Sequence, residues 1–179
     1  MNNDEIIYNI ALKNGFNPTQ ALFIIGQSRH ESADYTSNVY IQNNNGFGMK
    51  YVSQPLATRG TLAPPRERIR PITANINYYS KYRTFEDSVK DAIERLFNIT
   101  INGVTPAMLR SARTSLEYAE MQKKRGYFGG TALRYSKGID AGIKKVDLKN
   151  ITKSSLNVLP LIIIFFTYYI YKLLTNKSW

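Results

Sequence analysis

The chain has 179 residues, of which 43% are hydrophobic and 21% charged, and its formal net charge is +11. This length and composition predict one folded domain with a core plus an appendage, and they exclude a disordered chain. There is no cysteine and only one histidine, which excludes disulfides, thiolate zinc sites and multi-histidine metal sites, so we expect no metal and no cofactor. The positive charge favours a polyanionic partner: nucleic acid, anionic lipid or an acidic cell-wall polymer.

Two helices are predicted in the first 31 residues. The first is short and amphipathic, with Asp4 as its N-cap and Gly15 at its end, and its apolar face consists of Ile6, Ile7, Ile10 and Ala11. The second begins at Pro18, because proline suits the first turn of a helix and Asn17 is a good N-cap.

Glu31 falls at the C-terminal end of the second predicted helix. There it meets the negative end of the helix dipole, which raises the pKa of a carboxyl group, as apolar burial also does. A carboxyl group that stays protonated near neutral pH suits a general acid. The alternative is a solvated surface glutamate.

The middle of the chain predicts a small β lobe followed by helices. Residues 43–82 contain glycines, prolines and short β-prone runs, which predict a loop-rich segment with a small hairpin. A helix is predicted after Thr84, its N-cap, with Asp87 completing a capping box. A further helix is predicted over residues 105–123, and residues 125–145 predict a glycine-marked loop and a last amphipathic helix.

The C-terminal segment is apolar. Residues 156–174 would form a helix of roughly 28 Å, close to the thickness of about 30 Å of a bilayer core, so we predict a transmembrane helix. A buried core helix is the alternative. The predicted organisation is a domain over residues 1–148, a linker over 149–155, the transmembrane helix over 156–174 and a polar tail over 175–179.

Four motifs then occur in a recognisable order. They are Glu31-Ser32 at a helix end, NNGFGMK at residues 44–50, YSKYRT at residues 79–84 followed by Ser88 and Asp91, and Gly126-Tyr127 ahead of Tyr135. With these motifs, residues 5–145 resemble the glucosaminidase family of peptidoglycan hydrolases, the lysozyme-like domain of flagellar muralytic enzymes and bacterial autolysins. The chain departs from the family at Ala33, where members usually have glycine, and in the loop after Tyr127, where it has Phe128-Gly129.

The resemblance implies an α+β, mainly α fold: a lysozyme-like domain with a small β-hairpin lobe. It implies that Glu31 protonates the glycosidic oxygen between N-acetylhexosamines and that Tyr127 stabilises the transition state or positions the substrate. Glu67 resembles the family's second glutamate by location, although between two arginines it could equally form a surface ion pair. Without it, the single-acid chemistry of a lytic transglycosylase remains.

The matching positions also imply substrate contacts from Ser32, Asn45, Phe47 and Tyr135. Phe47 could alternatively be a core plug. Peptidoglycan glycan strands are therefore the expected partner, together with a lipid bilayer through the C-terminal helix. Nucleic acid ranks last, because the arginines are spread through the domain and form no basic stripe with interleaved aromatics.

Two questions of function stay open at this level. The chain could be a membrane-anchored peptidoglycan-degrading enzyme or a non-catalytic glycan-binding or structural membrane protein with the same fold. The N-terminus does not resemble a signal peptide, which with a C-terminal anchor leads us to expect a bacteriophage enzyme in a virion membrane, with other virion proteins as partners. An enzyme of the bacterial cell envelope is the alternative.

Overall fold

The computed structural model describes residues 1–149 and residue 151. The chain divides into two units, Met1–Val146 and Asp147–Trp179. The first unit contains, in chain order, α1 (Asn3–Lys13), α2 (Pro18–Glu31), α3 (Asn38–Asn43), β1 (Ala57–Leu62), β2 (Tyr78–Tyr82), α4 (Phe85–Ala92), α5 (Pro106–Ser111), α6 (Ser115–Lys124) and α7 (Ala132–Ile143). This mainly helical unit with one two-stranded antiparallel sheet has the predicted α+β class.

Asparagine capping boxes begin both N-terminal helices. The side chains of Asn2 and Asn17 each accept a hydrogen bond from the backbone N–H three residues later, which satisfies a donor that a helix start leaves unpaired. The predicted start of α2 is therefore confirmed, but the predicted cap at Asp4 is wrong. Asp4 lies inside α1 and is buried, and the Arg29 guanidinium donates to its carboxylate at 2.7 Å.

The β lobe is the hairpin predicted within residues 43–82. Strands β1 and β2 pair antiparallel, and their register shifts in the middle of β1. Gly60 lies at this irregularity, where a Cβ atom would come within 2.4 Å of Asn43 Oδ1. A side chain at this position would therefore push α3 away from the hairpin.

Helix α4 begins as predicted, with Thr84 and Asp87 forming a capping box. It continues as a single π-helical turn over Ile93–Phe97, which the sequence analysis did not anticipate. Such turns are rare and often occur at functional sites.

The single helix predicted over residues 105–123 is wrong, because two helices, α5 and α6, occupy this region. The side chain of Thr114 caps α6 by accepting from the backbone N–H of Glu117 at 3.2 Å. The Glu117 carboxylate accepts in turn from the backbone N–H of Arg113 at 2.7 Å. These local bonds stabilise the break, and the sequence carries their signature, a threonine followed three residues later by a glutamate.

Helices α2 and α7 pack closely because small residues face each other where they cross. A Cβ atom on Gly26 would lie 2.5 Å from the carbonyl oxygen of Ile139, and one on Gly142 would lie 2.9 Å from the carbonyl oxygen of Gly26. We call this contact the glycine seam. The core around the helices includes fully buried side chains of Ile7, Ile24, Ile25, Phe97, Leu109, Tyr118 and Ile139.

Among the described residues, no helix combines the length and the apolar character that crossing a bilayer requires. The transmembrane helix predicted for residues 156–174 lies outside the described residues. The predicted linker and polar tail fall at the same end of the chain and remain predictions.

Candidate active site

Glu31 is the last residue of α2, as the sequence predicted. Burial raises the pKa of its carboxyl group, because a desolvated carboxylate is costly. Two effects oppose this rise: the Tyr135 hydroxyl donates a hydrogen bond to Glu31 Oε1 at 2.5 Å, and the charge of neighbouring His30 favours the ionised form. Burial dominates, so the net pKa shift is upward and favours a protonated Glu31.

Tyr135 is held in place by neighbouring rings. The ring of Phe128 stacks on it at a centroid distance of 3.9 Å with 9° between the planes, and the His30 ring contacts it edge-on at 5.1 Å. Because these contacts fix the tyrosine ring, its hydroxyl is aimed at Glu31 before any substrate binds. Tyr135 therefore contacts the acid directly, and the substrate contact predicted for it stays a prediction.

A cleft of about 610 Å³ opens in front of Glu31. Residues 47–50, the π-helical residues 94–96 and the end of α6 with Tyr127 contribute to its walls. A second cavity, of about 330 Å³, is lined by Glu31, Tyr135 and Arg134 among others. The larger cleft has the size of a small-ligand site, and Glu31 lines both spaces.

The loop over residues 44–50 is organised by Asn45. Its side chain is buried and donates to the carbonyl oxygens of Met49 at 2.8 Å and Ser80 at 3.0 Å, while its Oδ1 accepts from the Met49 backbone N–H at 3.0 Å. These bonds pair the amide group of Asn45 with partners inside the protein. The predicted substrate contact of Asn45 remains a prediction.

Phe47 and Tyr127 form one wall of the cleft. The side chain of Phe47 is only 2% exposed and packs edge-on against Phe97 at 6.3 Å, so it serves the core and also lines the cleft. The Tyr127 hydroxyl donates to the carbonyl oxygen of Phe47 at 2.8 Å. This bond ties the loop at the end of α6 to the loop that follows α3.

Ser32 supports the turn after α2. Its side chain is buried; it donates to the Ser28 carbonyl oxygen at 2.7 Å and accepts from the Tyr35 backbone N–H at 2.9 Å. Three consecutive residues of this turn have left-handed backbone angles, with φ of 50° at Ala33, 55° at Asp34 and 67° at Tyr35. The family's usual glycine at position 33 would adopt such an angle without strain. The role predicted for Ser32 in substrate binding stays a prediction.

Glu67 lies in a short 3₁₀ turn of the β lobe, and its Oε2 atom accepts two hydrogen bonds. Lys50 Nζ donates to its carboxylate at 2.7 Å and the Tyr79 hydroxyl donates at 2.8 Å. The hydrogen bond from Lys50 is the main reason why the pKa of Glu67 is lowered. Burial is the main reason why the pKa of Tyr79 is raised, and Glu67 and, to a smaller extent, Glu31 raise it further.

Three charged residues of the cleft were missed by the sequence analysis: Glu94, Arg95 and Arg125. Glu94 and Arg95 lie in the π-helical turn. This turn is wound more widely than an α-helix, so it breaks the 3.6-residue periodicity from which the buried and exposed faces of a helix are predicted. Arg125 follows α6 and belongs to a run of basic residues that reads as a solvated helix end. Among the described residues, no group of three or more His, Cys, Asp or Glu side chains could hold a metal ion.

Comparisons with known proteins show similarity of fold. No protein-family model and no curated protein sequence matches the chain. A solved chain of a type VI secretion system effector–immunity complex from Pseudomonas protegens is 17% identical, with a TM-score of 0.53, over 78% of this chain and 84% of that one. The catalytic domain of the autolysin Auto from Listeria monocytogenes is 18% identical, with a TM-score of 0.50, over 83% of this chain and 82% of that one. The chain thus has a fold similar to that of the catalytic domain of an autolysin.

Proposed function

We propose that this chain cleaves glycosidic bonds between N-acetylhexosamines of peptidoglycan, with Glu31 as the general acid. The observation that carries the proposal is a half-buried carboxyl group with a raised pKa, which accepts a hydrogen bond from a fixed tyrosine hydroxyl and lies at the wall of a cleft of about 610 Å³. The fold similarity to an autolysin catalytic domain supports a cell-wall substrate. The net charge of +11 also suits an acidic wall polymer.

In this proposal the two oxygens of Glu31 have different tasks. Oε1 accepts the hydrogen bond from Tyr135, which leaves Oε2 to carry the transferable proton. Gly48 lines the cleft, and a Cβ atom at this position would lie 3.8 Å from Oε2, so no side chain of residue 48 covers this oxygen. When Oε2 gives its proton to the glycosidic oxygen, the hydrogen bond from Tyr135 stabilises the carboxylate that forms.

Glu67 is the proposed second carboxylate. The pKa values of Glu31 and Glu67 are shifted in opposite directions, the pattern that separates an acid from an ionised partner in glycoside hydrolysis. The ionised Glu67 would activate water or stabilise positive charge on the sugar ring. The variant Glu67→Gln should therefore lower the cleavage rate as strongly as loss of the acid does; a nearly normal rate would indicate single-acid transglycosylation.

The decisive experiment compares the wild type with Glu31→Gln on purified peptidoglycan. Glutamine keeps the shape and can still accept the hydrogen bond from Tyr135, but it carries no acidic proton, so we expect the rate to fall about 10²- to 10⁴-fold. Mass spectrometry of the product ends separates hydrolysis, which gives reducing ends, from transglycosylation, which gives anhydro-muramic ends. Glu86→Gln, which changes an exposed glutamate of α4, is the matched control. Wild-type activity in Glu31→Gln would refute the assignment.

Membrane attachment is a separate part of the proposal and rests on the sequence of residues 156–174 alone. We propose that this segment anchors the enzyme in a virion membrane or a bacterial cell envelope. The full chain should float with lipid vesicles and resist extraction by high salt, because hydrophobic insertion is not screened by ions. Removal of residues 154–179 should abolish flotation and leave cleavage of peptidoglycan intact. Release of the full chain by salt would contradict the anchor.

A further inference from the structure

Arg125 is a buried cation with no acidic partner in the part of the chain that the structure describes. It follows the last residue of α6 and is only 6% exposed. Among the described residues it forms no ion pair, whereas the other cations of the cleft do: Lys50 pairs with Glu67 at 2.7 Å, and Arg95 lies 4.0 Å from the carboxylate of Asp91. A buried charge without a counter-ion is costly, so its retention calls for a reason.

The neighbours of Arg125 orient its guanidinium but do not neutralise it. Nη1 donates weakly to Gln122 Oε1 at 3.4 Å, Nη2 donates to the Ile99 carbonyl oxygen at 3.2 Å, and Nε has no partner in the described part of the chain. Gln122 is itself fixed, since its Nε2 donates to Gln27 Oε1 at 3.2 Å and to the Tyr118 hydroxyl at 3.1 Å. All these partners are neutral.

Desolvation lowers the pKa of Arg125, because burial makes the charged form of the guanidinium less favourable. An arginine nevertheless stays protonated in proteins. The guanidinium is therefore positively charged, and an anion that enters the cleft with a ligand would stabilise it.

Arg125 lines the same cleft as Glu31 and Tyr127. A ligand in this cleft can therefore contact the proposed acid and the guanidinium together. Glu94 also lines the cleft, but its side chain is exposed. Solvent therefore screens the negative charge of Glu94 more effectively than it screens the positive charge of the buried Arg125.

We propose that Arg125 binds a carboxylate of the glycan substrate and thereby makes the cleft selective for peptidoglycan over neutral polymers of N-acetylglucosamine. The inference rests on the proposed function and names the feature by which that site recognises its substrate. A planar guanidinium suits a carboxylate, because its N–H groups can pair with both oxygens. The carboxylate has two sources: the free lactyl group of muramic acid in strands without peptides, or the peptide stem.

Binding is measured in the full-length Glu31→Gln protein, so that the result does not depend on catalysis. The probes are glycan strands freed of peptide by an amidase, the same strands with their lactyl carboxylates converted to amides, and strands that keep their stems. Amidation should weaken binding of the peptide-free strands about 10- to 100-fold, the effect of losing one hydrogen-bonded charge pair. This comparison changes the ligand and needs no substitution at Arg125, so it stays informative even if an Arg125 variant does not fold.

Arg125→Gln in the same protein should weaken binding by a similar factor, and amidation should then have no further effect. Arg125→Lys, which keeps the charge, should restore part of the difference, and Arg113→Gln, which removes an exposed arginine, is the control. If only the stem-bearing strands show this dependence on Arg125, the carboxylate belongs to the stem. If amidation of the peptide-free strands changes nothing and binding of the stem-bearing strands does not depend on Arg125, or if Arg125→Gln still distinguishes the charged peptide-free ligand from the amidated one, the proposal is wrong. Retained cleavage by Glu31→Gln together with this binding preference would instead contradict only the catalytic role of Glu31.

Discussion

The hydrogen bond from Tyr135 to Glu31 makes a prediction about the pH dependence of catalysis. Tyr135→Phe removes one hydroxyl and keeps the ring, so the stack on Phe128 at 3.9 Å can persist. The lost bond, 2.5 Å long, favoured the ionised carboxylate and opposed the effect of burial. Without it, burial acts unopposed by this donor and the pKa of Glu31 must rise further.

The size of the effect follows from the strength of such bonds. A hydrogen bond is worth about 1.5–3 kcal/mol to a charged acceptor and about 0.5–1.5 kcal/mol to a neutral one, and a difference of about 1.4 kcal/mol corresponds to one pH unit. A general acid works while protonated, so the alkaline limb of kcat/KM against pH should move upward by about 1 pH unit. The maximal rate should fall, because the carboxylate formed in the reaction loses a stabilising donor.

The assay is the rate of peptidoglycan solubilisation between about pH 4 and 10, a range that brackets the ordinary carboxyl and histidine pKa values. Tyr127→Phe is the matched control, since its hydroxyl donates to the carbonyl oxygen of Phe47 and not to Glu31. It should leave the position of the alkaline limb unchanged. An alkaline limb that stays in place or moves to lower pH in Tyr135→Phe would refute the reasoning.

Three further predictions concern stability. The pKa of Glu31 is raised above its ordinary value of 4.5, so the wild type loses stability as the pH rises from 4.5 through the folded-state pKa. The difference in Tm between Glu31→Gln and the wild type should therefore grow in favour of the variant across this pH range. A difference in Tm that stays constant would contradict the prediction. Gly26→Ala should destabilise the fold by about 1–3 kcal/mol in denaturant titrations and lower activity, since the new methyl group forces α2 away from α7; an unchanged midpoint would show that the seam adapts. Ala33→Gly should relieve a left-handed backbone and raise the free energy of unfolding by up to about 1 kcal/mol, while Ala63→Gly, at a buried alanine, should lower it.

The sequence predicted those parts of the molecule that local chemistry decides. Asn17 and Pro18 fixed the start of α2, and Thr84 with Asp87 fixed the start of α4. The capping pair Thr114 and Glu117 was equally readable, and the apolar spacing across it misled the prediction of one long helix.

The parts that were not predicted depend on tertiary contacts. Asp4 looks like a helix cap from its position, but its carboxylate serves the buried ion pair with Arg29. The sequence singled out Glu31 from its place at a helix end, whereas the bond from Tyr135 and the unpaired charge of Arg125 arise only when distant segments pack together.

The docking of α7 on α2 at the glycine seam also determines when Glu31 receives the hydrogen bond from Tyr135. Glu31 and Tyr135 are 104 positions apart in sequence, so their bond is a non-local contact that forms only after α7 has docked on α2. Until then, during synthesis or in any state in which α7 has opened locally, Glu31 is an ordinary solvated carboxylate that is ionised at neutral pH. The raised pKa of this side chain therefore depends on the docking of α7, and a nick between α6 and α7 that releases α7 would return this pKa towards its ordinary value.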